Sequence, residues 1–147
     1  MRLSTFAALI AVAGGIVVTP AAAQTGQALI RHLFTQLEGD FRDKGKRMTQ
    51  VAAFQNGIED GSSRGDIVSL DRGQTYWIVG VCDEDCSDFD LEVKDSNAVV
   101  VGSDVLDDDA PIVVLENVRG GAYQVRSVMA DCSADPCLTG VRVYRAD

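Results

Sequence analysis

The sequence predicts a mainly β protein: an antiparallel, jelly-roll-like β-sandwich with one N-terminal amphipathic helix. Three observations lead there. From residue 48 onward, apolar residues recur at period two in short runs. Gly-, Asp- and Ser-rich turns separate those runs, and no βαβ alternation or internal repeat interrupts them. The chain of 147 residues has one-domain length, and 46% apolar with 24% charged residues is ordinary globular composition. Its net charge of −9 argues against nucleic-acid binding, which needs a basic face.

Residues 1–23 read as an export signal. Met1-Arg2 is a short positive start, residues 3–18 are uncharged and apolar, and Thr19-Pro20 breaks the run. Ala21-Ala22-Ala23 then supplies the small-residue site, which places cleavage before Gln24. The apolar run is shorter than the roughly 20 residues a span requires. The expectation is therefore a periplasmic or secreted protein with no membrane span after cleavage. Two parts follow: residues 24–45 as the helix and 46–147 as the sandwich.

From residue 27 to about 42 the pattern is helical. Leu29, Leu33 and Leu37 recur every fourth residue beside Ile30, Phe34 and Phe41. Thr25 or Gly26 starts the helix and Gly45 lies beyond its end. His32, the single histidine, falls on the opposite polar face and reads as solvated.

The strands follow in order. Residues 48–55 form the first, and 58–65 are turn-rich. Residues 67–70 and 75–81 are joined by Asp71-Arg72-Gly73-Gln74, a hairpin-like turn. Within 88–94, Phe89, Leu91 and Val93 alternate with Asp88, Asp90, Glu92 and Lys94, which predicts a half-buried strand with an acidic outer face. Further strands are expected at 98–101, 112–115, 122–129 and 140–144. Of the adjacent Tyr76 and Trp77, at least one belongs to the core.

Taken in order, several segments form a pattern. Leu70-Asp71-Arg72-Gly73-Gln74-Thr75-Tyr76 precedes a hydrophobic strand. Asp88-Phe89-Asp90-Leu91-Glu92-Val93, Asp95-Ser96-Asn97, a run of aspartates and Gly120-Gly121-Ala122-Tyr123-Gln124-Val125 follow. Over about residues 64–145 this order resembles the bacterial pre-peptidase C-terminal (PPC) domain. The resemblance implies a jelly-roll-like sandwich in a secreted, non-catalytic module; some members bind calcium or an extracellular polymer. A small stand-alone relative with no peptidase before the module is expected here, and Asn97 stands where the family often has Gly.

The four cysteines, Cys82, Cys86, Cys132 and Cys137, lie in two short segments that each follow a predicted strand. Three connectivities are possible. Local pairs, Cys82 with Cys86 and Cys132 with Cys137, require no assumption about distant strands and are the expected arrangement in an oxidising compartment. A four-thiolate zinc site is the alternative. It competes with disulfide formation, and acidic neighbours disfavour the thiolate it needs.

The charge is concentrated. Residues 83–109 hold eleven acids and one base, while the remainder of the chain after residue 23 is balanced. Asp83, Asp85, Asp88, Asp90, Asp107, Asp108 and Asp109 are the candidate ligands for calcium, which takes six to eight hard oxygens. No EF-hand spacing is present, so a site would be assembled from two loops. The competing reading is a solvated acidic rim of turn-forming aspartates.

Other signals are weak. Arg64-Gly65-Asp66 spells an integrin-recognition tripeptide in what reads as an ordinary turn. Ser62, Ser63 and Ser133 lack a nucleophile context, with His32 the one available imidazole. The function expected is an exported, non-catalytic binding or accessory module with an acidic, calcium-binding loop end. Its partner would be an extracellular or cell-envelope protein or polymer. The alternative is an interaction protein that docks a partner through Leu29, Leu33 and Leu37; a small secreted hydrolase ranks last.

Overall fold

The computed structural model describes residues 21–147, with side chains from Thr25 onward. The export signal expected over 1–23 lies outside the described residues, save for Ala21, Ala22 and Ala23, which open the helix α1 (Ala21–Asp43). The end of α1 follows the predicted glycine. Gly45 adopts φ 68°, its N–H donates to the Arg42 carbonyl at 2.9 Å, and the Lys46 N–H donates to the Phe41 carbonyl at 2.8 Å. This pair of bonds is the Schellman arrangement, which a left-handed residue makes possible.

Eight strands follow: β1 (Met48–Ile58), β2 (Ser63–Leu70), β3 (Thr75–Cys82), β4 (Cys86–Lys94), β5 (Val100–Asp104), β6 (Ile112–Leu115), β7 (Gly121–Cys132) and β8 (Cys137–Ala146). They form two antiparallel four-stranded sheets, ordered β1-β8-β3-β6 and β2-β7-β4-β5. That order is an eight-stranded jelly roll, in which the chain passes repeatedly from one sheet to the other. Consecutive strands share a sheet at one place among the described residues, the β4–β5 hairpin.

The segment 71–74 is consequently no hairpin. β2 pairs with β7, whereas β3 pairs with β6 and β8. Gly73 N–H donates to the Val118 carbonyl at 2.8 Å and Val118 N–H to the Gln74 carbonyl at 3.0 Å. The turn is thus held by the β6–β7 connection, not by its own two strands. Gly73, at φ 80°, reverses the chain in either topology, so local residues reported the turn without the partner. Two strand positions also shift. β2 begins at Ser63, which makes Arg64-Gly65-Asp66 part of a strand, and β5 runs to Asp104.

The core between the sheets includes Ile78, Phe89, Leu91, Val93, Met129 and Val143, all fully buried. A second cluster lies beneath α1, where Ile30, Phe34 and Phe41 meet Val79, Val81 and Tyr144 of the first sheet. Strand β3 is therefore covered on both faces: Tyr76 is buried in the core, and Trp77 packs edge-on to Phe41 at 5.8 Å. The leucines Leu29, Leu33 and Leu37 are half-buried at the margin of this contact. Glu38 fastens the helix, accepting from Arg142 Nη1 at 2.6 Å and Tyr144 Oη at 3.0 Å.

Both disulfides are local, as the spacing predicted: Cys82–Cys86 and Cys132–Cys137. Each clips a crossing between the two sheets, and Cys86 lies opposite Cys132 in the β4–β7 register. Ser133 joins the clips by donating its N–H and its hydroxyl to the Asp85 carbonyl, at 2.8 and 2.9 Å. All four cysteines are consumed, which removes the thiolate zinc alternative.

Candidate functional site

With α1 covering the first sheet, the second sheet is the one whose outer face is open. Strand β4 decides what that face carries. Phe89, Leu91 and Val93 are buried and Asp88, Asp90 and Glu92 half-buried, the alternation read from the sequence. The register places Asp131 of β7 opposite Asp88, Arg126 opposite Glu92, and Asp104 of β5 opposite Leu91. The Asp108 carbonyl accepts the Phe89 N–H at 2.9 Å, which lays the β5–β6 arch beside β4.

Asp88, Asp90, Asp104, Asp107, Asp108 and Asp131 thereby share one electrostatic neighbourhood. Burial, then Asp107, Asp131 and Asp108, push the Asp88 carboxyl above its ordinary value. Burial also raises Asp90, followed by Asp88, Asp104, Glu92 and Asp108. Asp88 Oδ1 is buried without a hydrogen-bond partner. The nearby base Arg126 is spent on Glu92, 2.7 Å away. Ser87 Oγ donates to Asp131 Oδ2 at 2.7 Å. Asp104 accepts from the Ile112 N–H at 2.8 Å, and Asp108 from the Ala110 N–H at 3.0 Å. The latter two carboxylates shape the arch as turn-formers.

The predicted ligands do not assemble into one cage. Asp88, Asp90, Asp107 and Asp108 fall in the neighbourhood just described. Asp83 is buried apart from it, accepting the Leu138 N–H at 2.8 Å beside Gly26 of the helix. Asp85 and Asp109 are exposed; the Asp109 carbonyl lies 3.6 Å from Cys82 Sγ. Among the described residues no three His, Cys, Asp or Glu side chains converge to hold a metal ion. The arrangement concentrates negative charge over a surface and does not focus it on a point.

Asp131 was missed. It reaches the cluster only through the β4–β7 pairing, some forty residues distant in sequence, and nothing local marks it. Asp104 was visible in the acidic run, yet its neighbours along the chain do not show that it flanks β4. Asp95, in contrast, belongs to the far end of β4: its Oδ1 accepts the Val99 and Asn97 N–H groups at 3.1 and 2.8 Å. Those bonds hold its carboxyl below the usual range.

The opposite end, where β1 starts and β8 finishes, carries bases. Arg42, Lys46 and Arg47 line a 630 Å³ groove with Glu38, Tyr144 and Asp147, and Lys46 Nζ sits 4.7 Å over the Trp77 ring. His32 is exposed on α1. No family model matches the sequence, and no curated protein matches it. No helix among the described residues is long and apolar enough to cross a membrane.

Proposed function

We propose that the chain is an exported, non-catalytic binding or accessory module of PPC type, and that its open acidic sheet face engages a cationic partner at or beyond the cell envelope. The observation that carries this reading is the gathering of Asp88 and Asp90 of β4 with Asp131 of β7, Asp107 and Asp108 of the β5–β6 arch and, on the core-facing side of β5, Asp104 into one electrostatic neighbourhood. A globular protein gains solubility from dispersed charge, and repulsion at this density destabilises the fold. A partner bearing amines or guanidinium groups relieves that repulsion and gains affinity from it.

Export is supported by the two disulfides, which persist in oxidising compartments, and by the signal-like residues 1–23. The PPC likeness is supported by the positions of its motifs. Asp88-Phe89-Asp90-Leu91 lies on β4, beside the β7 strand that bears Tyr123 and Val125. The helix-docking alternative has less in its favour, because Leu33 and Leu37 already pack against the protein's own second cluster.

Titration of poly-L-lysine into the oxidised protein tests the proposal. The expected result is salt-sensitive binding weakened at least tenfold by Asp88→Asn with Asp90→Asn; equal affinity in that variant refutes it. Calcium is the second reading, favoured by the buried, unpartnered Asp88 Oδ1. Melting curves in EDTA, calcium and magnesium separate the two. Equal effects of both cations mean screening, whereas a rise with calcium alone, lost in Asp88→Asn, assigns a metal site.

A further inference from the structure

The two sheets meet at an edge formed by β5 and β6, and this edge is unlike the rest of the surface. Nine large apolar side chains are exposed among the described residues, and seven of them fall between Val99 and Val114. Val99 is 56% exposed, Val105 62% and Leu106 67%. Scattered exposed apolar residues need no explanation, but a contiguous set along one edge does.

The edge also has an open side. β5 pairs with β4 on one side, and no strand among the described residues pairs with its other side. Its sequence, Val100-Val101-Gly102-Ser103-Asp104, contains neither the proline nor the lysine that commonly blunts an edge strand. It is firmly seated. A Cβ at Gly102 would lie 2.6 Å from Val113 Cγ1 and 2.9 Å from Leu115 Cδ2, so β5 is pressed onto β6 at a distance only glycine permits. At its lower end Val99, Val101, Val114 and Tyr123 line a 460 Å³ groove with Asp95 and Arg119.

Charge selects the occupant. From Lys94, which pairs with Val100, to Arg119, which lines the groove, the sequence contains six acids against these two bases. A second copy would bring the same acids against themselves on a chain of net charge −9. We infer that the β5–β6 edge receives an extended segment of a protein partner in which apolar residues alternate with lysine or arginine. The segment adds as a strand beside β5, with its apolar side chains over the exposed valines and its bases toward Asp104, Asp107 and Asp108. This inference rests on the binding-module reading and names the partner class and the contact edge.

The probe is a blocked ten-residue peptide of alternating valine and lysine, titrated into the oxidised protein. Peptides alternating valine with glutamate and serine with lysine serve as controls. Valine–lysine is expected to bind at least tenfold more tightly than either control and to slow amide exchange in β5. Val101→Lys, at an exposed position, should weaken it at least tenfold, while Val51→Lys, exposed on β1 of the other sheet, should leave it unchanged. Binding with no protection of β5 overturns the edge assignment yet leaves the acidic face as the binding site. Absence of binding by both lysine peptides overturns both. A peptide-free dimer that Val101→Lys dissociates gives the edge to a second copy and also overturns the inference.

Discussion

Single residues show where the sequence departs from local ideals. Ala98 closes the β4–β5 hairpin at φ 61°, a conformation that suits glycine and strains a residue with a Cβ. The left-handed position is therefore one residue beyond Asn97. Ala98→Gly should raise stability by about 1 kcal/mol, read as a higher midpoint in denaturant. A lower midpoint would mean that the turn tolerates alanine without strain. Asp88 and Asp90 make a pH prediction. Their folded values lie above the ordinary 3.8, so between the two values the native state holds more protons than the unfolded chain. Their contribution to stability falls as pH rises through that window. Acidification from neutrality should raise Tm until Asp95 and Asp147, both held below 3.8, begin to protonate and reverse the trend. Asp88→Asn should be more stable than the parent at neutral pH and show a smaller rise on acidification; an unchanged pH profile would remove the repulsion from the account.

Elements were legible to the extent that their physics is local. The Leu29, Leu33 and Leu37 spacing with Gly45 beyond it identified the helix, because amphipathic period and C-terminal glycine act within a few residues. The alternation of 88–94 identified β4 and its acidic face for the same reason. The turn at 71–74 was misread, since a reversal looks alike whether the chain stays in one sheet or crosses to the other. The centre of the helix contact was also inexact: Ile30, Phe34 and Phe41 are buried, while the leucine row sits at the margin. Gly140 explains the fit, for a Cβ there would lie 2.6 Å from Ile30 Cγ2 and 2.9 Å from Phe34 Cε2. Gly140→Ala should lift α1 from the sheet. Amide exchange of residues 27–43 should accelerate at least tenfold, with the core strands still protected; unaltered exchange would mean that the helix accommodates the methyl group.

At the scale of the molecule, the jelly-roll topology turns a patterned sequence into a polar object. The helix covers one sheet, the disulfides clip two crossings at one end, and the second sheet is left to display Asp88, Asp90 and Asp131, with Asp107 and Asp108 of the β5–β6 arch and Asp104 beside them. The acidic run in 83–109 announced most of this charge. Its arrangement as a surface depended on β7 lying beside β4, which no local signal encodes, and Asp131 entered by that route. The expected calcium ligands separate through a different pairing: Asp83 continues the β3–β8 register by bonding Leu138, and Asp109 is exposed. Spread charge of this kind suits an extended cationic partner better than a single ion.

Two variants of equal net charge test that claim most directly. One carries Asp88→Asn, Asp90→Asn and Asp108→Asn on the open face; the other carries Asp40→Asn, Asp43→Asn and Asp71→Asn, all exposed and away from it. Calorimetric titration with poly-L-lysine at fixed ionic strength should show the first weakened at least tenfold and the second by less than twofold. Equal losses in the two would show that net charge alone governs binding, and would contradict a recognition face on the second sheet.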